Sequence, residues 1–103
     1  MKKTFPLQAQ GKDDARVRDK IRHEVNKYVR RERQKALPEG FSWWAFACRV
    51  GPDAAQAAAK SLDAVGGAID AVAQTGATTV YVEIIASPSH RPPSRRSPPA
   101  SGE

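Results

Sequence analysis

The sequence predicts a small α/β domain of the two-layer α+β kind. Its elements run β-α-β-α-β, and a three-stranded sheet carries two helices on one face. Three observations predict this. A chain of 103 residues, 40% hydrophobic and 27% charged, has room for one domain and one modest core. A long basic segment repeats its apolar residues with the 3.6-residue period of a helix. Two other segments, 41–50 and 78–86, alternate with the period of two that marks a strand.

Residues 3–8 (Lys-Thr-Phe-Pro-Leu-Gln) predict a short first strand. Pro6 has no N–H to give a neighbour, so this strand belongs at an edge. Gly11-Lys12-Asp13-Asp14 reads as a turn into a helix, with Asp13 or Asp14 capping its free N–H groups. The helix should run from Asp14 to Ala36. Val17, Ile21, Val25, Tyr28, Val29 and Ala36 would form its buried stripe. Pro38 disfavours helical geometry at Leu37, and Gly40 permits a sharp turn.

In residues 41–50, Trp44, Phe46, Cys48 and Val50 fall on one face, and Trp43, Ala45, Ala47 and Arg49 on the other. Gly51-Pro52-Asp53 then turns into a second helix over 54–75. Its stripe is Ala58, Leu62, Val65, Ile69 and Val72. Gly66-Gly67 inside it costs about 1 kcal/mol per glycine relative to alanine, which a close approach to a neighbouring element would offset. Gly76 ends this helix. In the last strand Val80, Val82, Ile84 and Ala86 point inward, with Tyr81, Glu83 and Ile85 on the other face. Strand–helix–strand succession favours parallel, right-handed crossovers. A hairpin within 41–51 would give a ferredoxin-like succession instead, but that stretch is too short for two strands.

Charge divides the chain. Residues 1–36 carry twelve Lys/Arg and five Asp/Glu, a net +7, whereas residues 37–86 carry −3 and the remainder +2. A cationic half suggests an anionic partner. On the first helix Arg16, Lys20, His23, Lys27 and Arg30 lie about 160 to 240 degrees around from the centre of the apolar stripe, at about 100 degrees per residue. Arg31, Arg33 and Lys35 extend this ridge. Such a face suits phosphates, and it is equally what a solvated helix surface looks like. Asp19 with His23 and Lys20 with Glu24 are spaced to pair along the helix. Glu32 falls inside the apolar stripe, where it would either pair with Arg49 or a backbone donor, or overhang the sheet in water.

Other chemistry is sparse. Trp43-Trp44 could stack on bases, but core or interface burial is the commoner use of indole. Cys48 alternates with inward residues and reads as an inert core thiol. Glu83 with His90 and Arg91 is a candidate acid–base pocket, to which Glu32 and Arg49 are candidate additions. No glycine-rich phosphate loop, metal-ligand cluster or nucleophile motif occurs, so no cofactor and no metal are expected. No run of about 18 apolar residues exists to span a membrane. The basic start Met1-Lys2-Lys3 lacks a following apolar region, and the single cysteine suits a reducing compartment; the chain reads as cytoplasmic. Ser87 onward is rich in Pro, Ser and Arg, too polar to bury a core, and reads as a disordered tail.

Several segments together resemble a family of short bacterial proteins of unknown function. They are Met-Lys-Lys-Thr-Phe-Pro-Leu (1–7), Lys27-Tyr28 with Arg30-Arg31-Glu32-Arg33, Lys35-Ala36-Leu37-Pro38-Glu39-Gly40, Cys48-Arg49-Val50-Gly51, and Tyr81-Val82-Glu83-Ile84 followed by Pro88 and His90-Arg91. The resemblance implies a bacterial, cytoplasmic, stand-alone domain and brings no activity. It also implies that His90-Arg91 belongs to the domain, so the folded region is 1–91 and the disordered tail 92–103. The leading expectation is a non-enzymatic module binding a polyanion, RNA or DNA, through Arg16, Lys20, Lys27, Arg30, Arg31 and Arg33. The alternative is a protein partner or a homodimer formed through Trp43, Tyr81 and Ile85. The third is an enzyme built on Glu83, His90 and Arg91.

Overall fold

A computed structural model describes residues 1–8, 11 and 13–90. Arg91 and the tail 92–103 lie outside the described residues. The elements are β1 (Lys2–Pro6), α1 (Asp14–Arg33), β2 (Trp43–Gly51), β3 (Ala58–Lys60), α2 (Val65–Gln74) and β4 (Thr79–Ser89), with a 3-10 turn over Leu62–Ala64 ahead of α2. The domain is mixed α/β as expected, but the sheet has four strands, in the order β1-β4-β2-β3. Every neighbouring pair is antiparallel. Each helix still joins two strands that run the same way. A third strand lies between the members of each such pair, so no parallel ladder forms.

The extra strand corrects the expected 54–75 helix. Five hydrogen bonds hold residues 52–57 as a turn. Asp53 accepts hydrogen bonds from the backbone N–H and the side-chain amide of Gln56, both at 2.9 Å. The Arg49 guanidinium donates to the carbonyls of Ala54 (3.3 Å) and Ala57 (3.0 Å). Thr79 Oγ1 donates to the carbonyl of Pro52 at 3.0 Å. A helix would need the Ala54 and Ala57 carbonyls for its own ladder. With them turned toward Arg49, residues 58–60 return along β2 as a hairpin, and only 65–74 remain α-helical.

The first helix is as expected at its start, where Asp13 accepts from the N–H of Arg16 at 2.9 Å. It ends three residues early, at Arg33. The Trp44 indole donates to the Lys35 carbonyl at 3.0 Å, which fixes the chain outside the helix and leaves Ala36 exposed. β4 runs three residues past Ala86, because β2 pairs with it as far as Trp43 opposite Ser89. Gly40 and Gly76 sit at φ of +90° and +85°, conformations that favour glycine, and turn the chain after α1 and α2.

One core joins both helices to one face of the sheet. Val17, Ile21, Val25 and Val29 of α1 meet Val65 and Ile69 of α2 over Phe5, Cys48, Val50, Val80, Val82 and Ile84. Ion pairs from Arg18 and Arg22 to Asp70 tie the helices together. The α-amino group of Met1 donates to the Ile84 carbonyl (2.6 Å) and to the Tyr28 hydroxyl (3.2 Å), fastening β1 under α1. The opposite sheet face carries no helix. It exposes Trp43 (43%) and Ile85 (40%).

Candidate anion-binding site

The apolar stripe of α1 is held on the core, so its cationic side must face outward. Arg16, Lys20, His23, Lys27, Arg30, Arg31 and Arg33 are all exposed. The structure divides them between two flanks. Lys20 and Arg16 stand across from Lys3–Pro6 of β1, walling a depression of about 330 Å³. His23, Lys27 and Arg31 stand across from Met1–Lys3, walling a second of about 570 Å³. The two depressions share Lys3 and Glu24, whose ion pair crosses from β1 to α1 between them. Arg30 and Arg33 lie on the other flank, facing α2.

Among the described residues, no carboxylate lies within ion-pair distance of Arg16, Lys20, Lys27, Arg30, Arg31 or Arg33. The helix's carboxylates are engaged elsewhere. Asp19 pairs with Arg22 at 2.9 Å, not with His23. Glu24 pairs with Lys3 at 3.2 Å, not with Lys20. Aromatic rings support two of the guanidiniums: Arg31 lies 5.8 Å from the Tyr28 ring centre and Arg33 5.4 Å from that of Phe46. Lys2 and Lys3 are additions to the expected set. Their signal was present in the basic start of the chain, but only the fold brings that start beside α1.

Of the expected pocket of Glu32, Arg49, Glu83, His90 and Arg91, the four described residues do not gather into one site, and Arg91 lies outside the described residues. Glu32 is on the helix layer, its side chain 13% exposed, and it pairs with Lys35 at 2.8 Å rather than with Arg49. Arg49 and Glu83 do meet, at 3.5 Å, on the helix-free face of the sheet. There Glu83 also accepts from the Tyr81 hydroxyl at 2.8 Å, and this hydrogen bond, with burial and the carboxylate charge, pushes the Tyr81 phenol above its ordinary range. His90 stacks on Phe41 with ring centres 4.5 Å apart. It is seven residues from Glu83 along an extended chain, roughly 23 Å at about 3.3 Å per residue, too far for shared acid–base work. Cys48 is buried, and burial raises its thiol pKa. Among the described residues no three His, Cys, Asp or Glu side chains are grouped to hold a metal, and no helix is long and apolar enough to cross a membrane.

Fold and site together define a small two-layer α/β domain with a cationic helix as its main charged feature. Residues 1–95 match the family of unknown function DUF6172, and the chain belongs to that family. No curated protein and no solved structure matches the chain.

Proposed function

We propose that this domain is a non-enzymatic binding module for a polyanion, RNA or DNA, which runs along the α1 flank that faces β1. The carrying observation is that Arg16, Lys20, Lys27 and Arg31 line the two depressions on this flank, exposed and without carboxylate partners. Lys2 of β1 adds a cation from the facing wall. Engaging about five phosphates on a single strand would give a log–log salt slope of about −3.5, or roughly a hundredfold loss of affinity between 50 and 200 mM salt.

The test is a gel shift with mixed RNA and DNA at rising salt. Lys20→Glu/Lys27→Glu should abolish binding, while Arg30→Glu, on the far flank, should weaken it only slightly. No binding at low salt, or equal effects from both variants, would sink the reading.

A second reading, favoured by the exposed Trp43 and Ile85 on one sheet face, with Ala47 directly opposite Ile85 and Ala45 between Ala47 and Trp43 along β2, is a homodimer through the helix-free face. Light scattering decides it: a monomer at high concentration excludes it.

A further inference from the structure

We propose that the nucleic acid held by the α1 flank is double-stranded RNA, and that Glu24 is the residue that selects it. The inference rests on the polyanion reading and names the form of polyanion that this flank accepts.

Arg16, Lys20, Glu24, Lys27 and Arg31 follow one another at spacings of 4, 4, 3 and 4 residues. At about 100 degrees per residue they stay within about 80 degrees of one another, a single stripe along α1. The middle member is a carboxylate. Glu24 lines both depressions, and among the described residues no other carboxylate lines either. Two cation pairs therefore flank one anion, their centres roughly 16 Å apart along the helix at about 1.5 Å per residue. Lys3 reaches across from β1 to one oxygen of Glu24, Oε1, at 3.2 Å. Among the described residues the other oxygen has no hydrogen-bond partner, and the side chain is 39% exposed.

A single strand laid along this stripe would bring a phosphate against the Glu24 carboxylate, where like charges repel. A duplex groove avoids this. Its two strands put phosphates on both walls and none on the floor, so each cation pair meets one wall while Glu24 faces the floor. The groove must be wide and shallow, because β1 stands beside this flank and α1 cannot sink in. In B-form DNA the major groove is about 8.5 Å deep and the minor groove only about 6 Å wide. In A-form RNA the major groove is deep and narrow, but the minor groove is wide, shallow and displays the ribose 2′-hydroxyls. A 2′-hydroxyl donates, and the unpaired oxygen of Glu24 accepts. DNA has no such donor on its sugar.

The test is fluorescence anisotropy of the full chain with labelled nucleic acids of one sequence, about 20 base pairs long so that a whole minor groove is presented. The probes are an RNA duplex, the matching DNA duplex, the single RNA strand, and a 2′-O-methyl RNA duplex, which keeps the A form and the phosphates but lacks the hydroxyl donors. The RNA duplex should bind at least about tenfold more tightly than each of the others, the weight of one hydrogen bond to a charged group. Glu24→Ala should remove the difference between the RNA and 2′-O-methyl duplexes. Glu24→Gln, which keeps an acceptor, should retain most of it, with circular dichroism reporting that both variants fold. Lys20→Glu/Lys27→Glu should abolish binding of all four. The inference is overturned, with the polyanion reading intact, if the DNA duplex or the single strand binds as tightly as the RNA duplex, if 2′-O-methylation costs nothing, or if Glu24→Ala stays sensitive to it. No binding to any of the four at low salt overturns both.

Discussion

Gly51→Ala tests the hairpin that distinguishes the four-stranded sheet from the simpler three-stranded arrangement. Gly51 is buried at the end of β2, opposite Tyr81. A Cβ there would lie 2.6 Å from the Ala57 Cα and 2.8 Å from both the Ala57 nitrogen and the Gln56 carbonyl oxygen. All three are backbone atoms, so relief requires the 52–57 turn to move outward by about 1 Å to reach normal carbon contact. That turn is held by Arg49 and by Thr79, whose hydrogen bonds would stretch. Overpacking of this kind costs about 1–3 kcal/mol, and the lower entropy of the unfolded alanine chain returns about 0.4–1 kcal/mol. The net is about 1–2 kcal/mol of destabilisation, a fall in Tm of roughly 5–15 °C for a domain of this size. Urea denaturation followed by tryptophan fluorescence measures it. Gly67→Ala is the paired control: its Cβ meets nothing within 4 Å, so it should stabilise by about 0.5–1 kcal/mol. A neutral Gly51→Ala would mean that the turn does not lie against β2, and a helix over 54–60 would again be the better account.

Three further outcomes follow from the same packing. Ile69 is fully buried between α2 and the sheet, so Ile69→Ala should cost about 2–4 kcal/mol in the same denaturation, and a loss below about 1 kcal/mol would contradict its place in the core. Cys48 should resist iodoacetamide at neutral pH in the folded protein and react on unfolding, because burial both raises its pKa and blocks access; rapid labelling of the native state, read by mass spectrometry, counts against this. The unfolded chain releases the Tyr81 proton before the folded one does, since the hydrogen bond to Glu83 holds the folded pKa up. Stability from Tyr81 is thus intact below the ordinary tyrosine pKa of about 10 and declines as pH climbs from there toward the raised folded value. Tyr81→Phe should flatten that alkaline decline, and an unchanged decline would refute the assignment.

Periodicity reported each element where burial is one-sided and local. The α1 stripe of Val17, Ile21, Val25 and Val29 and the alternation of Val80, Val82 and Ile84 are such cases. β3 was hidden because its two alanines have no strand preference and one of them, Ala58, fits a helical stripe with Leu62, Val65 and Ile69. What overrides that pattern is the capture of the Ala54 and Ala57 carbonyls by Arg49, a contact across the chain that no local pattern encodes. Strand order is illegible for a related reason: alternation says which face a residue occupies, not which strand lies beside it. The cationic face of α1 was legible as charge at helical spacing. Its division into two flanks was not, because β1 and α2 set it by packing on either side. The Glu83–His90 idea failed on distance, as neighbours in sequence separate quickly along an extended strand.

The place of β4 in the sheet bears on how the protein is made. β4 lies between β1 and β2, so neither has its principal hydrogen-bonding neighbour until residues 79–89 exist. A ribosome that has finished α2 has released a helix with an exposed apolar stripe, an unpaired β1 and a two-stranded hairpin, which is marginal in water. Translating from the end of α1 to the end of β4 takes roughly 3–11 s at about 5–20 residues per second. Throughout that interval the nascent chain has no sheet on which to close its core. Folding thus waits for the emergence of one strand, and a nascent chain stalled before Thr79 is a substrate for chaperones or proteases rather than a partly built domain.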